Sequence, residues 1–584
     1  MNNIFSKLIV VTIFFLLSAC SGDSTCDEGE LSCNDLESSS ICKDGAFEML
    51  EDCSSTNLIC VEGECIEPPQ ANFSIQKHHI SETTTIYLDY SEPLSEYLIF
   101  TYHFSIQNES VPYSLNFSDN IDLSTNEPLN FLSSPNDETQ ERALRYQRDY
   151  EMRLRDRKLW MENKHRLTLP NVALKNKDSA CTKSTDCQQN ELCEDGECKD
   201  NIQMYFNAWT INTKINVSVI AKGEKCVLLA DNDDIGFSLE LSQEHIEDFL
   251  NACDNVIVPR AKAFFGDPAN ISSSPVNDPS DRNSDGLLHV LFSGKVNQER
   301  VWGFFSSADY FENSANNPSN ERDMLYVSLP EHEGEINTIK ATMIHEYQHL
   351  LHFVIHNYIP FLNGTEVAYN PVWLDEAFAH LAEEIGGYGI DNVEFVSDIL
   401  NSFDNYSLAF GSDNLKKRAL GFLFVLYLFE QHGGFEYGSD NEIVDKGGPS
   451  FLQKIISSEY AGFDAFDSVL SKPIEEMYFD WLVTLAVDKM NITTDTKYNY
   501  NAIKTDPVTG NEVGVSTNGE RTDNAGDTYQ LTGPRNHEIV LNPTEDIADS
   551  LSAMYFSLPS YEDKMSIEVN VSDQAITLGV IRIH

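Results

Sequence analysis

The stretch TIKATMIHEYQHLLHFV, residues 338–354, decides the fold of the central part of this chain. It contains His345-Glu346-Tyr347-Gln348-His349, an H-E-x-x-H pattern. Residues four apart lie one turn apart on the same face of a helix, so both imidazoles can reach one metal ion. Apolar residues recur at helical spacing, and neither Pro nor Gly interrupts them. We therefore predict a helix in which His345 and His349 are metal ligands and Glu346 is a general base.

A second stretch, PVWLDEAFAHLAEEIGG at residues 371–387, predicts another helix, since Pro suits a first turn and Gly a helix end. Glu376 lies 27 positions after His349 (376 − 349), where it can return a carboxylate to the same metal. Two His and one Glu leave a coordination position for water, as in a catalytic zinc site. His380 and Glu383 follow at i+4 and i+7 and are candidates to orient a ligand.

The two motifs together resemble the gluzincin metallopeptidases, whose third ligand is a Glu on a downstream helix. The run from about residue 201 to 489 is similar to the hyicolysin-type family of bacterial secreted metallopeptidases, through DRNSDGLLHVLF, VWGFFSSADYF, RDMLYVSLPE and LGFLFVLYLFEQHGG. This resemblance implies a zincin-like domain that hydrolyses peptide bonds with one catalytic Zn²⁺. Thermolysin-like enzymes have an Asp at i+4 from the Glu ligand, whereas this chain has His380 there.

Hydrolysis also needs a group that stabilises the oxyanion. Gluzincins supply it several turns after the Glu ligand, where Tyr406, Tyr427 and His432 are the candidates. The WMEN sequence at 160–163 lacks the Gly of the aminopeptidase G-x-M-E-N motif and lies far too early, so an endopeptidase is favoured. In zincins a strand before the active-site helix borders the cleft and can pair with an extended peptide, and we expect residues 324–329 to form it.

Composition limits the partners. The chain has 584 residues, enough for three or four domains, and its net charge of −54 argues against nucleic acid or an anionic membrane surface. The acidity serves solubility, with bound Ca²⁺ as a weaker alternative. The DRNSDG sequence at 281–286 matches the opening of a calcium loop, but position twelve is Phe292 rather than Glu, which favours a simple turn.

The first twenty residues indicate export. Lys7 precedes an apolar run at 8–17 that is too short to span a bilayer and ends in Ser-Ala-Cys, as in a secretory signal. LSAC resembles the lipobox of bacterial lipoproteins, in which Cys20 is lipidated, and Ser21 then implies sorting to the outer membrane. The alternative is an ordinary signal with a disulfide-bonded Cys20. We expect an outer-membrane or cell-surface lipoprotein, or one released to the medium, that touches the membrane only through its lipid.

The other twelve cysteines (13 − 1) are an even number, which in an exported chain predicts disulfides. Six lie at 26–65 and four at 181–198, in pairings that the sequence leaves open. Zinc binding is the alternative for the first group, and the lack of tight C-x-x-C pairs disfavours it. Cys226 and Cys253 are expected to bridge a strand to a helix.

We predict an α+β protein with six segments: a signal peptide at 1–19, a Cys-rich module at 20–70, a small β domain at 71–135, a charged helix and Cys-rich linker at 136–200, a zincin-like metallopeptidase domain at 201–490, and a C-terminal β domain at 491–584. The peptidase domain is expected to combine a mixed sheet, an active-site helix and a helical subdomain. The basic residues of 137–166 are interspersed with acids, which predicts a solvated helix with internal ion pairs, or else a basic patch for an anionic partner.

These features predict an extracytoplasmic zinc metalloendopeptidase that acts on proteins or peptides. The alternative is a catalytically inactive surface lipoprotein that uses the same fold to bind protein or glycan. The intact Glu346 argues against this alternative, because a pure binder needs no base between two ligands.

Overall fold

The computed structural model describes residues 31–33, 38–43, 46–52, 59–61, 64–66, 74–88, 96–117, 137–164, 181, 184–194, 196–208, 210–234, 241–314, 318–411, 413–523, 526–537, 544–558, 566–571 and 574–583. The chain forms two compact units. One comprises residues 1–74, 490–494 and 582–584, and the other comprises residues 75–489 and 495–581. The signal segment and Cys20 lie outside the described residues.

The first unit contains short antiparallel strands: β1 (Leu31–Cys33), β2 (Ser38–Lys43), β3 (Ala46–Asp52), β4 (Ile59–Val61) and β5 (Glu64–Ile66). Strands β1, β2 and β3 form one sheet in that order, and β4 pairs with β5 in a hairpin. Such small pieces suit a module held by cross-links, and its three disulfides stay a prediction.

The remaining strands are β6 (Ser74–Ile80), β7 (Thr84–Tyr87), β8 (Tyr97–Tyr102), β9 (Ser110–Phe117), β10 (Leu192–Glu194), β11 (Glu197–Lys199), β12 (Asn201–Asn207), β13 (Asn212–Lys222), β14 (Cys226–Asp231), β15 (Leu288–Phe292), β16 (Gly303–Phe305), β17 (Met324–Val327), β18 (Phe435–Tyr437), β19 (Ile443–Asp445), β20 (Lys504–Thr505), β21 (Glu512–Val513), β22 (Asn518–Thr522), β23 (Thr528–Thr532), β24 (Asn536–His537), β25 (Thr544–Asp549), β26 (Ala553–Leu558), β27 (Ser566–Val571) and β28 (Ile576–Arg582).

The helices are α1 (Asp137–Asn163), α2 (Gln243–Ala252), α3 (Val258–Phe265), α4 (Gly294–Glu299), α5 (Ile336–His352), α6 (Ile359–Leu362), α7 (Val372–Ile385), α8 (Asn392–Leu400), α9 (Leu415–Gln431), α10 (Gly448–Ile456), α11 (Phe463–Val469) and α12 (Ile474–Val487). Together with the sheets they make the protein α+β, as predicted. The finer, zincin-like assignment stays a prediction.

The segments predicted as two separate β domains share one core. Their strands form a five-stranded sheet, β24-β26-β8-β28-β6, and a four-stranded sheet, β25-β9-β27-β7. Side chains from both sheets, including Ile99, Leu115, Ile567 and Leu578, are fully buried together. The two predicted β domains are therefore one. Alternation of apolar and polar residues shows that a strand has a buried face, but it does not show which other strands pack on that face.

A six-stranded mixed sheet, ordered β12-β13-β14-β15-β17-β16, lies in the second unit. Strands β14, β15 and β17 are parallel, and β16 runs antiparallel to β17. Strand β17 is therefore paired on both sides, and the prediction that it borders the cleft is wrong. Within the described sheet, the edge strand next to β17 is β16. Its three residues are too few to be recognised as a strand in the sequence.

The helices that carry the H-E-x-x-H and WLDEAFAH motifs pack against each other. Helix α7 lies between α5 and α9. On α9, Gly421 permits the close approach, since a Cβ there would lie 3.1 Å from the Ala377 Cβ and 3.2 Å from the Trp373 carbonyl oxygen. Helices α7 and α9 can therefore bring polar side chains together at one buried point beside α5.

Helix α1 is solvated on one side only, where it has predicted internal ion pairs such as Arg148–Glu151 and Lys158–Glu162. Arg145, Asp149 and Arg153 are among its buried side chains, whereas Leu154 and Met161 on other faces are about half exposed. The buried face is charged, so hydrophobic patterning could not reveal it. Its partners are charged groups of the helical region, described below.

Three disulfides lie in the described part of the second unit: Cys181–Cys193, Cys187–Cys198 and the predicted Cys226–Cys253. They indicate an oxidising environment. The 281–286 segment forms the predicted turn, in which the Asp281 carboxylate accepts from the amides of Asp285 and Gly286; the Ca²⁺ alternative is untested. Among the described residues, every helix is too short or too polar to cross a bilayer.

Candidate metal centre

The structure brings together the three residues that the sequence predicted as metal ligands. One donor atom from each of His345, His349 and Glu376 lies within 4.8 Å of the others. The two imidazoles project from successive turns of α5, and α7 supplies the carboxylate. The Nε2 atom of His345 is 3.4 Å from Glu376 Oε2, and that of His349 is 3.8 Å from Glu376 Oε1.

Each imidazole is held through its other nitrogen by a carboxylate. The Nδ1 atom of His345 is 2.6 Å from Oε1 of Glu383, whose second oxygen is 3.2 Å from Nδ1 of His380. This contact fixes the ring so that Nε2 faces Glu376, as metal-binding His generally requires. Glu383 therefore occupies the orienting position predicted for it, and His380 contacts both Glu383 and the His345 ring, whose centroid is 5.1 Å from its own.

Asp375 orients the His349 ring in the same way, and it was not predicted from the sequence. Its Oδ1 atom lies 3.1 Å from His349 Nδ1 and 2.8 Å from His352 Nδ1. The other nitrogen of His352 is 2.9 Å from the Asn370 amide. The sequence does show an acidic residue directly before Glu376. The direction in which its side chain points, however, depends on how α7 packs on α5.

The residues present fit a zinc ion. Two imidazole nitrogens and a carboxylate match the donor set of catalytic zinc sites. The His349 Nε2 atom is buried and, within the described structure, has no hydrogen-bond partner. A buried polar atom without a partner is energetically unfavourable, and a cation between the three donors would satisfy it. The donors do not by themselves identify the metal, since imidazole also suits other transition ions.

Electrostatics keep the carboxylates ionised. Burial raises the pKa of Glu383, but His380 and His345 outweigh it and hold that pKa at about 2. Burial likewise opposes ionisation of Glu376, whose pKa the Arg418 guanidinium nevertheless keeps well below its usual range. Burial lowers the pKa of His345, and contacts with Glu376 and Glu383 raise it to about 10. A metal ion would replace that proton.

Glu346, the predicted base, is buried beside the three donors. Its Oε2 atom accepts a hydrogen bond of 2.9 Å from the amide of Phe305, at the end of edge strand β16. The same oxygen lies 2.5 Å from the Arg153 guanidinium of α1. The carboxylate is thus oriented by the sheet edge and paired with a cation from outside the predicted peptidase domain.

Two arginines balance the acidic groups, and neither was predicted. Arg418 on α9 lies 2.8 Å from Glu376 Oε2 and also contacts Asp149 and Asp413. Arg153 approaches Glu376 Oε1 at 3.5 Å. In the sequence Arg153 is one of nine basic residues of a charged stretch, so nothing distinguished it.

The ring contacts described for the predicted oxyanion-stabilising candidates are with residues outside the candidate metal site. The Tyr427 ring packs against Tyr500, the His432 ring stacks on Phe451, and Lys416 lies over the Tyr406 ring.

A small cavity of about 30 Å³ is lined by His349, Arg153 and Tyr369, among others. The Tyr369 hydroxyl is buried and lacks a hydrogen-bond partner in the part of the chain described. Tyr369 is therefore a better-placed candidate than the three from the sequence.

Comparison with known proteins adds no assignment. No protein-family model matches the chain, and no curated protein is significantly similar to it.

Proposed function

We propose that the protein is an exported zinc-dependent metalloendopeptidase. The observation that carries this proposal is the convergence of His345, His349 and Glu376, with a carboxylate on the outer nitrogen of each imidazole. Structural zinc sites use four protein ligands, whereas three leave room for water. The adjacent Glu346 supplies the base that hydrolysis requires and that simple metal storage does not.

In the proposed reaction, bound zinc would lower the pKa of a water molecule and polarise the scissile carbonyl. Glu346 accepts a proton from the attacking water and returns it to the leaving nitrogen. Glu383 and Asp375 keep the imidazoles aligned, and Arg418 stabilises the ionised form of Glu376. Tyr369 is the proposed donor to the oxyanion.

We further propose that the protein acts outside the cytoplasm on protein or peptide substrates. The three disulfides and the N-terminal signal support export. The lipobox-like LSAC supports attachment to the outer membrane or cell surface through Cys20. The strongly acidic composition supports a substrate other than nucleic acid.

Metal analysis with a casein assay tests the proposal. We expect about one zinc ion per chain in the wild type and in Glu346→Gln, and loss of zinc in His349→Ala. Whatever casein cleavage the wild type shows should be lost in both variants. Protein that binds no zinc would refute the metal site, and cleavage that persists in Glu346→Gln would refute the mechanism.

A further inference from the structure

Helix α1 lies beside the candidate metal centre and contacts it through Arg153. It packs against edge strand β16 and the following 3-10 turn, Ser307–Tyr310. A free strand edge beside a peptidase site is where an extended substrate can add as a further strand. The helix therefore occupies the space in which the proposed function would place a peptide.

The deepest contact involves the base itself. Arg153 lies 2.5 Å from Glu346 Oε2 and 3.5 Å from Glu376 Oε1, and its side chain is 6% exposed. The guanidinium therefore occupies an oxygen of the proposed base and lies beside the carboxylate of the proposed ligand Glu376. In this position it hinders the approach of a substrate and of water to Glu346.

One turn further along α1, Arg157 fills an adjacent polar recess. Its guanidinium is 3.0 Å from Asp375 Oδ2 and donates to the Asn370 carbonyl at 2.7 Å. The Tyr369 ring lies 5.2 Å from the guanidinium carbon. A carboxylate, a carbonyl and an aromatic face form a recess that recognises a guanidinium from several sides.

Two more contacts seat the helix on the sheet side and at its C-terminal end. Asp156 accepts from the Ser307 amide at 2.9 Å and from the Ser306 hydroxyl, directly after β16. Trp160 is almost fully buried against Phe353 and Phe361. The helix is anchored by apolar packing, while its charges face the catalytic groups.

We propose that α1 is an internal inhibitor, so that the intact chain is a latent peptidase whose cleft opens when α1 is displaced. The occupant of the cleft is this chain's own residues 145–160, recognised through Arg153 and Arg157. This inference rests on the proposed function, because inhibition presupposes activity. It also implies that the Asp375–Asn370–Tyr369 recess accepts a basic side chain of a substrate once Arg157 has left.

Three full-length, zinc-loaded variants test the proposal. Arg153→Ala removes the contact with Glu346, and Trp160→Ala loosens the helix without touching the metal centre. Lys158→Ala is the matched control, since Lys158 is exposed on the same helix and pairs only weakly with Glu162 at 3.9 Å. We would measure kcat/KM on casein-derived peptides and, independently of catalysis, the Kd of a peptide hydroxamate that binds zinc.

Arg153→Ala and Trp160→Ala are expected to raise kcat/KM and tighten hydroxamate binding by about tenfold to a hundredfold, with Lys158→Ala unchanged. Peptides with Arg near the scissile bond should gain most. If Arg153 instead assists catalysis, Arg153→Ala lowers kcat/KM, which overturns the proposal. Unchanged hydroxamate binding in Trp160→Ala also overturns it.

The hydroxamate measurement separates the two claims. Tighter binding without any cleavage would support a helix that covers the zinc site but would refute the peptidase, and with it any inhibition. Cleavage that Trp160→Ala leaves unaltered would support the peptidase and refute the inhibitory helix. Should Arg153→Ala fail to fold, because it leaves buried carboxylates without their counter-charge, Trp160→Ala decides the question alone.

Discussion

Replacing Glu383 by Gln should weaken zinc binding although Glu383 is outside the proposed set of ligands. The carboxylate contacts His345 Nδ1 at 2.6 Å, and both side chains are largely buried. Gln keeps the shape and an acceptor oxygen but removes the charge that makes the imidazole a stronger donor to the metal. Loss of such an orienting carboxylate typically reduces metal affinity by about 10–100-fold, or roughly 1.4–2.7 kcal/mol.

We expect the lower end of that range near neutral pH. Glu383 also helps to raise the pKa of His345 to about 10 in the metal-free protein. Its removal lowers the affinity of the imidazole for the competing proton, which offsets part of the lost affinity for zinc. The variant should therefore bind zinc about tenfold more weakly at neutral pH and lose more at higher pH, where the proton competes less.

The assay is a competition titration with a chromophoric zinc chelator at about pH 7 and about pH 9. Glu333→Gln is the matched control, because Glu333 also contacts an imidazole, His245 Nε2 at 3.0 Å, but is exposed to solvent. Equal zinc affinity of Glu383→Gln and wild type at both pH values would refute the reasoning that Glu383 tunes His345.

Two further predictions concern stability. Removing the Cys226–Cys253 disulfide, which closes a separation of 27 residues, should lower the free energy of unfolding by about 3–4 kcal/mol; equal denaturation midpoints of Cys226→Ala/Cys253→Ala and wild type would contradict this. Burial raises the pKa of Glu430 to about 8, so the folded state holds a proton that the unfolded state releases near pH 4.5, and this group's contribution to stability declines between those values. Glu430→Gln should melt with the wild type at about pH 4 and at a higher temperature at about pH 9; a constant difference would contradict the assignment.

The grouping of the three proposed metal ligands could be predicted because their signals are local. His345 and His349 share one helix face by spacing alone, and Glu376 lies on the next strongly helical motif. The orienting Asp375 and the counter-charge Arg418 could not be predicted, since each depends on how α7 meets α5 and α9. Such angles follow from packing, for example the contact of Gly421 with α7, rather than from periodicity.

The same limit explains the two larger differences in the fold. Strand β8 pairs with β26, so that Thr101 faces Met554 across more than four hundred residues, and no local pattern selects that partner. Helix α1 buries charged side chains beside Met152 and Trp160, so its pattern resembled that of a surface helix. Its role became visible only through the contacts of Arg153 and Arg157 with the metal centre.

The central claim is that Glu346 is the base of a zinc peptidase, and casein hydrolysis tests it most directly. The Glu346→Gln substitution is made in the wild type and in Trp160→Ala, and the zinc content of each protein is measured. Glu346→Gln should retain about one zinc ion and lose activity by about 10²–10⁴-fold in whichever background is active. Glu333→Gln should behave as its parent protein does. Zinc-loaded protein whose hydrolysis is unaffected by Glu346→Gln, or that cleaves nothing in either background, would contradict the account.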